Sequence, residues 1–298
     1  MSTTVAVVQA GSLLFDTPTT TEKALTLIAD AASRGAKVIV FPEAFLGGYP
    51  KGTDFGARVG SRSPEGRREF RRYFDSSIIC PGPETEQLAE AARAHRVYLV
   101  MGCVERAGSS LYCSVLYFSP QGTLLGKHRK LMPTAMERLI WSFGDGSTLP
   151  VFETEHGNLG AVICWENYMP ALRMAMYQQG IQLYCACTVD DRDVWVSTMR
   201  HIAVEGRCFV LSACQFVDGL IRGGSLIVDP LGNLVVEPVY GQESILFADL
   251  DLGMIAEGKF DLDVTGHYAR PDIFELRVNR MPQLPVRYLS SEADGTEP

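Results

Sequence analysis

The feature that most constrains the fold is a series of short segments that are apolar at consecutive positions. Examples are VAVVQA, VIVF, VYLVMGCV, LGAVIC and CFVLSACQ. A strand with one face in water alternates apolar and polar residues, so these runs predict strands that are covered on both faces. Between them, apolar residues recur at helical spacing, as at Ala24, Leu25, Ile28 and Ala31. The pattern therefore predicts sheets with helices on one face and a second layer on the other.

The first helical segment has recognisable end signals. Thr19 and Glu22 have the spacing of a capping box, and Gly35 follows the last apolar position. A second amphipathic pattern covers residues 88–92, and further helices are predicted around residues 172–179 and 194–205. The Gly-rich and Arg-rich stretch 47–72 is predicted to be a surface insertion.

Two segments resemble each other in pattern and predict an internal pseudo-repeat. Residues 115–130 and 225–239 each consist of an apolar strand, a Pro-x-Gly turn and a second strand. We interpret the chain as an α/β protein, a four-layer αββα sandwich with two pseudo-repeated halves. One catalytic domain, residues 1–280, is predicted to precede a short polar C-terminal tail, residues 281–298.

Charge and hydropathy narrow the function classes. The chain has 27 Lys and Arg against 35 Asp and Glu, a net charge of −8, and the basic residues are scattered, which disfavours a nucleic-acid partner. The N-terminus has no basic residue before a short apolar run, and no segment approaches the roughly 18 apolar residues of a membrane span. We expect a cytoplasmic protein that acts on a small molecule and has neither a nucleic-acid nor a membrane partner.

The eight cysteines are interpreted as reduced thiols, because most of them lie in apolar runs of a long chain without a secretion signal. Cys185 and Cys187 form an x-spaced pair, but no second pair with ligand spacing accompanies them. No metal and no cofactor are predicted. His128 and His201 are interpreted as structural.

Cys164 is the most informative cysteine. It ends an apolar strand and precedes WENYMP, in which Pro170 is suited to open a helix. Backbone N–H groups and a helix N-terminus near such an elbow are expected to lower the pKa of the thiol. Position alone does not separate a nucleophile from a buried structural cysteine.

Two other polar residues occupy comparable positions at strand ends. Glu43 follows VIVFP, and Lys130 ends GKHRK. Each is singly compatible with a solvated surface residue. Together with Cys164 they supply a nucleophile, a carboxylate base and a fixed cation, the groups that attack on a carbon–nitrogen bond requires.

The segments FPEAFLGGYP, HRKLMPTAMERLIWSFGDGS and GAVICWENYMP resemble the nitrilase superfamily of carbon–nitrogen hydrolases, and within it the nitrilase branch. The resemblance extends over most of the chain. It implies the αββα sandwich, and it implies that Glu43, Lys130 and Cys164 form a catalytic triad. It further implies that Glu137 is a second active-site glutamate near the lysine.

The implied reaction is hydrolysis of an organic nitrile to a carboxylic acid and ammonia through a cysteine thioimidate and thioester. An amidase or N-carbamoyl hydrolase with the same triad, a cyanide-degrading enzyme and a catalytically silent binding module are the alternatives. Aromatic side chains that adjoin the motifs are predicted to bind substrate, with Trp165 and Trp195 foremost, followed by Tyr49 and Tyr168.

The resemblance also implies a homo-oligomer, at least a dimer, formed by pairing of helices from two αββα units. The helix that follows Cys164, predicted over residues 169–179, carries apolar residues suited to such an interface. These residues are Leu172, Met174, Ala175 and Met176.

Overall fold

The computed structural model describes residues 2–284 and 286, so most of the predicted tail, residues 281–298, lies outside the described residues. The helices are α1 (Thr17–Ser33), α2 (Pro64–Asp75), α3 (Pro83–His95), α4 (Pro170–Gln178), α5 (Asp193–Gly206) and α6 (Gly253–Asp261). The strands are β1 (Ser2–Gln9), β2 (Val38–Val40), β3 (Tyr98–Ala107), β4 (Ser110–Phe118), β5 (Leu124–Arg129), β6 (Leu159–Ile163), β7 (Leu183–Thr188), β8 (Phe209–Cys214), β9 (Phe216–Val217), β10 (Ile221–Val228), β11 (Leu234–Tyr240) and β12 (Ser244–Asp251).

Within the described residues, the strands form two mixed sheets. The first has the order β12-β1-β2-β3-β4-β5, and the second has the order β11-β10-β8-β7-β6, with β9 paired to β10. In each sheet three neighbouring parallel strands lead into an antiparallel hairpin, β4-β5 in the first and β10-β11 in the second. Both predicted hairpins are confirmed, and the pseudo-repeat corresponds to this shared strand order.

Alternate residues of the strands pack into different apolar layers. In β1, Val5 and Val7 belong to the layer between the sheets, whereas Ala6 and Val8 belong to the layer with α1 and α3. The second sheet packs in the same way against α4 and α5. Consecutive apolar residues in one strand are therefore all buried, and the predicted αββα sandwich is confirmed.

The strand directions bring three polar residues to the seam between the sheets. The chain reverses twice between β3 and β5, so β5 runs in the same direction as β2 and their carboxyl ends share one edge of the first sheet. Glu43 lies three residues beyond β2, and Lys130 directly follows β5. Cys164 directly follows β6 of the second sheet.

Two local predictions are wrong. Helix α1 begins at Thr17 instead of after Thr19, because the carboxylate of Asp16 caps it by accepting a hydrogen bond from Thr19 N at 3.1 Å. The stretch 47–72 is not wholly a surface insertion, because Gly47 and Gly48 are buried. Gly47 has φ +90°, and a Cβ there would lie 2.9 Å from Val104 Cβ.

The prediction for helix α4 is wrong in part. Pro170 begins this helix as expected, but Leu172 and Met176 are buried in the apolar layer against the second sheet. These two side chains are therefore not available to a dimer interface. Met174 and Ala175 instead line a cavity of about 520 Å³ together with residues 264–280. No helix among the described residues is long and apolar enough to span a membrane.

Candidate active site

Cys164 occupies a constrained elbow at the end of β6. Its φ is +49°, a left-handed conformation that is uncommon for a residue with a side chain. The chain then forms a 3₁₀ turn, Cys164–Tyr168, before α4 begins at Pro170. The thiol is buried, and Thr188 Oγ1 at the end of β7 donates a hydrogen bond to Sγ at 3.3 Å. The backbone therefore aims the sulfur into the seam between the sheets.

Lys130 lies at the centre of a buried charge cluster on the first sheet. Its Nζ donates hydrogen bonds to Glu43 Oε1 at 2.6 Å and to Glu137 Oε2 at 2.8 Å. The side chains of Lys130 and Glu43 are fully buried. The ring centroid of Trp141 lies 5.6 Å from Nζ, a cation–π contact. The structure thus brings the predicted cation together with both predicted glutamates.

Glu137 has hydrogen bonds at both carboxylate oxygens. Oε2 accepts from Thr134 N at 2.6 Å as well as from Lys130, and Oε1 accepts from Tyr49 Oη at 2.7 Å. Thr134 precedes the 3₁₀ turn Ala135–Leu139, so the carboxylate also caps that turn. Glu137 is held in one orientation, and Lys130 is held by Glu137.

Among the described residues, the carboxylate of Glu43 has hydrogen-bond partners at only one of its two oxygens. Its Oε1 accepts from Lys130 and from Cys113 Sγ at 3.5 Å, whereas its buried Oε2 has no hydrogen-bond partner among residues 2–284 and 286. Burial raises the pKa of Glu43 to about 7, although Lys130 lowers it. This carboxylate can exist in both protonation states near neutral pH.

The pKa of the Cys164 thiol differs from the one predicted from the sequence. Burial raises the pKa of the thiol well above its usual value, and the nearby charge of Glu43 raises it further, while Lys130 lowers it. The expectation of a pKa lowered by backbone N–H groups and a helix N-terminus is therefore wrong. The thiol therefore gives up its proton less readily than the thiol of an exposed cysteine.

Sequence reasoning missed two residues that hold the cluster. Gln215 directly follows β8 of the second sheet, and its Nε2 donates to the main-chain oxygen of Glu43 at 2.8 Å. Thr188 contacts the Cys164 sulfur, as described above. Both lie at the carboxyl ends of parallel strands, the same signal that pointed to Glu43 and Cys164.

The four predicted aromatic residues have different environments. Trp165 is 43% exposed, and its Nε1 donates to Asp190 Oδ2 at 2.9 Å. Tyr168 is 38% exposed and makes an edge contact with the Trp165 ring at 5.9 Å. Tyr49 is half-buried and donates to Glu137. Both exposed rings lie within four residues of Cys164 along the chain.

The position of Trp195 disagrees with its predicted role in substrate binding. It is buried in the apolar layer between the second sheet and helices α4 and α5, and its Nε1 donates to Ser212 Oγ at 2.9 Å. Cys164 belongs to the opposite layer, between the sheets. Trp195 therefore packs the core and does not line the site.

The structure offers no metal centre in the part of the chain that it describes, since no three His, Cys, Asp or Glu side chains cluster there in a way that could hold an ion. Cys185 and Cys187 both face the apolar layer between the sheets. The site itself contains a buried thiol, two carboxylates and one ammonium group.

Residues 4–260 match the carbon-nitrogen hydrolase family. The chain belongs to this family. It is 56% identical to the aliphatic nitrilase of Sinorhizobium fredii (strain HH103) over 94% of this chain and 97% of that protein. It is 52% identical to the bifunctional nitrilase/nitrile hydratase NIT4A of Lupinus angustifolius over 96% of this chain and 88% of that protein.

A solved structure shows the same carbon-nitrogen hydrolase fold. Nit3 of Saccharomyces cerevisiae, a member of branch 10 of the nitrilase superfamily, superposes with a TM-score of 0.71 at 24% identity. The match covers 90% of this chain and 96% of Nit3. The family assignment and the αββα architecture therefore agree.

Proposed function

We propose that this carbon-nitrogen hydrolase is a nitrilase that converts an organic nitrile to a carboxylic acid and ammonia. The observation that carries the proposal is a buried cluster at the seam of the two sheets. In it, the Glu43 carboxylate and the Lys130 ammonium group lie beside the Cys164 thiol. Relatives that are themselves named nitrilases, at more than half identical residues, support the same reaction.

The first step is formation of a covalent thioimidate. Glu43 takes the proton of Cys164, and Sγ adds to the nitrile carbon while one π bond of the nitrile opens toward nitrogen. The Lys130 ammonium and the main-chain N–H of Trp165 stabilise the nitrogen anion, which then receives the proton.

The following steps release ammonia and then the acid. Glu43 removes a proton from a water molecule that adds to the thioimidate carbon and passes this proton to the nitrogen, and the tetrahedral intermediate then breaks its C–N bond and loses ammonia to leave a thioester. A second water, activated in the same way, displaces the sulfur and releases the carboxylic acid. Expulsion of the thiol before ammonia would give the amide instead, so the ratio of the two products reports which bond breaks first.

Glu137 is proposed to position Lys130. Both of its oxygens are occupied by hydrogen bonds from Tyr49, Lys130 and Thr134. A carboxylate held in this way fixes the direction of the ammonium group. Its negative charge also keeps Lys130 protonated in a buried site.

Ammonia release from a panel of aliphatic, aromatic and arylacetonitriles tests the function, with acid and amide separated by chromatography. The Cys164→Ala variant is the matched control, and we expect it to fold and to lose turnover. Cys164→Ser should retain at most a trace, because a hydroxyl is a far weaker acid. Faster hydrolysis of an amide than of its matching nitrile would instead indicate an amidase.

We also propose a homodimer or larger assembly, located in the cytoplasm. All eight cysteines are free thiols, as a reducing compartment would keep them. Apolar side chains of the C-terminal segment that line the cavity at α4 are exposed, among them Tyr268, Phe274 and Leu276. Light scattering coupled to size-exclusion chromatography should give at least twice the chain mass, and Phe274→Glu should reduce it. An active monomer would refute the assembly.

A further inference from the structure

A second buried carboxylate, that of Glu166, lies between the two catalytic segments. Its Oε1 accepts a hydrogen bond from Leu131 N at 2.5 Å, and its Oε2 accepts one from Ile163 N at 2.9 Å. Leu131 directly follows Lys130, and Ile163 directly precedes Cys164. One carboxylate is therefore hydrogen-bonded to the main chain beside both groups.

These two main-chain segments belong to different sheets. Leu131 follows β5, the edge strand of the first sheet, and Ile163 is the last residue of β6, the edge strand of the second. The geometry of the proposed reaction depends on how these strand ends are spaced, because the ammonium group comes from one and the sulfur from the other. Glu166 joins them directly.

His128 completes the charge balance of this carboxylate. Its Nε2 lies 2.9 Å from Glu166 Oε2, and its Nδ1 lies 2.7 Å from the main-chain oxygen of Thr148. Both neighbours are hydrogen-bond acceptors, so both bonds form only when the ring carries a proton on each nitrogen. Burial lowers the pKa of His128, but the charge of Glu166 raises it above its usual value. With a proton on each ring nitrogen, His128 forms a buried ion pair with the Glu166 carboxylate.

We propose that Glu166, held by His128, is a positioning residue that fixes the spacing between the Lys130 ammonium and the Cys164 sulfur. The inference rests on the proposed function in that it assigns those two groups their roles. Glu166 acts through the main chain at Leu131 and Ile163, whose N–H groups donate to its two oxygens, and His128 acts through Glu166. A displacement of about 1 Å at a reacting group is enough to reduce a rate by about 10²-fold.

Glu166→Gln is the main test, because it preserves the side-chain length and replaces one acceptor oxygen by an NH₂ donor. Wherever that NH₂ points, it faces a main-chain N–H, so one of the two main-chain bonds is lost. We expect kcat to fall by about tenfold to a hundredfold, with KM changed much less, since the substrate contacts remain. Turnover of a nitrile is the measurement.

Glu105→Gln is the matched control. Glu105 is a second buried glutamate and makes hydrogen bonds to Lys127 and Arg129 of β5, so its replacement also removes buried ionic bonds. It lies outside the proposed catalytic cluster. We expect Glu105→Gln to lower thermal stability while kcat at a temperature well below unfolding stays at the wild-type value.

Alkylation of Cys164 by iodoacetamide gives a readout that does not depend on the substrate. The rate constant at Cys164, measured by peptide mapping, should fall in Glu166→Gln and stay unchanged in Glu105→Gln. If no nitrile or amide is hydrolysed by the wild type, the proposed function fails, and the alkylation rates still decide the positioning role. Equal kcat and equal alkylation rates in the two folded glutamine variants would overturn it.

His128→Gln keeps the inference testable if Glu166→Gln does not fold. This change removes the imidazolium and leaves both main-chain bonds to Glu166 in place. We expect a smaller fall in kcat than for Glu166→Gln, again with little change in KM. A folded His128→Gln variant with wild-type kcat and wild-type alkylation of Cys164 would overturn the proposal.

Discussion

The surroundings of Glu43 and those of Glu166 show how one buried residue type serves two purposes. Glu166 receives three hydrogen bonds, from Leu131 N, Ile163 N and His128 Nε2, which occupy both of its oxygens. Glu43 receives its hydrogen bonds at Oε1, its Oε2 has no partner among residues 2–284 and 286, and burial raises its pKa to about 7. A saturated carboxylate fixes the backbone, whereas a carboxylate with an open oxygen and a raised pKa can take and return a proton.

Replacing the open carboxylate should have the largest effect. Glu43→Gln removes the proton acceptor while keeping the side-chain shape, so we expect the rate of ammonia release to fall by at least about 10²–10⁴-fold. Circular dichroism should show a native fold. A loss in Glu166→Gln as large as that in Glu43→Gln would erase the distinction between the two carboxylates.

The cation beside Glu43 should come next. Lys130→Arg is expected to be nearly as damaging as Lys130→Ala, with a loss of about 10²–10³-fold in kcat. The planar guanidinium cannot replace a compact ammonium that contacts both Glu43 and Glu137 in a fully buried position. Wild-type activity in the arginine variant would show that Lys130 only balances charge.

The pH dependence should separate the two carboxylates more finely. Glu43 acts as a base only when ionised, and burial raises its pKa to about 7, so kcat/KM should rise with pH up to about 7 and then level off. Below that midpoint the rate should fall by about tenfold per pH unit. Glu166→Gln should retain this midpoint at a lower plateau. A wild-type profile that is flat from pH 5 to pH 8 would contradict a proton-accepting role for Glu43.

The smallest expected effect concerns the relative reactivity of two cysteine thiols. Cys80 is half-buried and has Lys127, Glu105 and Arg129 as its charged neighbours, whereas Cys164 is almost fully buried beside Glu43. Iodoacetamide should nevertheless inactivate the wild type by modifying Cys164 ahead of Cys80, because Glu43 can accept the proton of the Cys164 thiol. Substrate should slow the loss of activity. Cys80→Ser should be inactivated at the wild-type rate. Labelling of Cys80 first, with activity lost in step, would contradict the proposed environment of Cys164.

Much of the fold was predictable, because its signal is local. Consecutive apolar residues in VAVVQA and LGAVIC indicate strands that are covered on both faces, and the two Pro-x-Gly turns indicate the hairpins. The positions of Glu43, Lys130 and Cys164 at strand ends, together with the resemblance, indicated the candidate site. Their catalytic roles stay predictions until variants are measured.

The features that the sequence did not predict depend on contacts between segments that are distant along the chain. The raised pKa of Cys164 follows from the packing of one sheet on the other. The residues next to Cys164 in the sequence do not indicate this packing. The bond from Gln215 to the main chain of Glu43 spans 172 positions. The apolar pattern around Trp195 indicates a buried helix face but not which layer receives it, which is why its predicted role at the site was wrong.

The pairing of β1 with β12 has a consequence for biosynthesis. Ser2 is paired with Asp251, so β1 waits until β12 has left the ribosome before the first sheet is complete. Contacts of such long sequence separation form late and slow folding. Until then the edge of β1 is open to other chains, and a nascent polypeptide that already contains Cys164 lacks the finished first sheet beneath Glu43 and Lys130. We therefore expect ribosome-bound chains that stop before residue 244 to be inactive and dependent on chaperones.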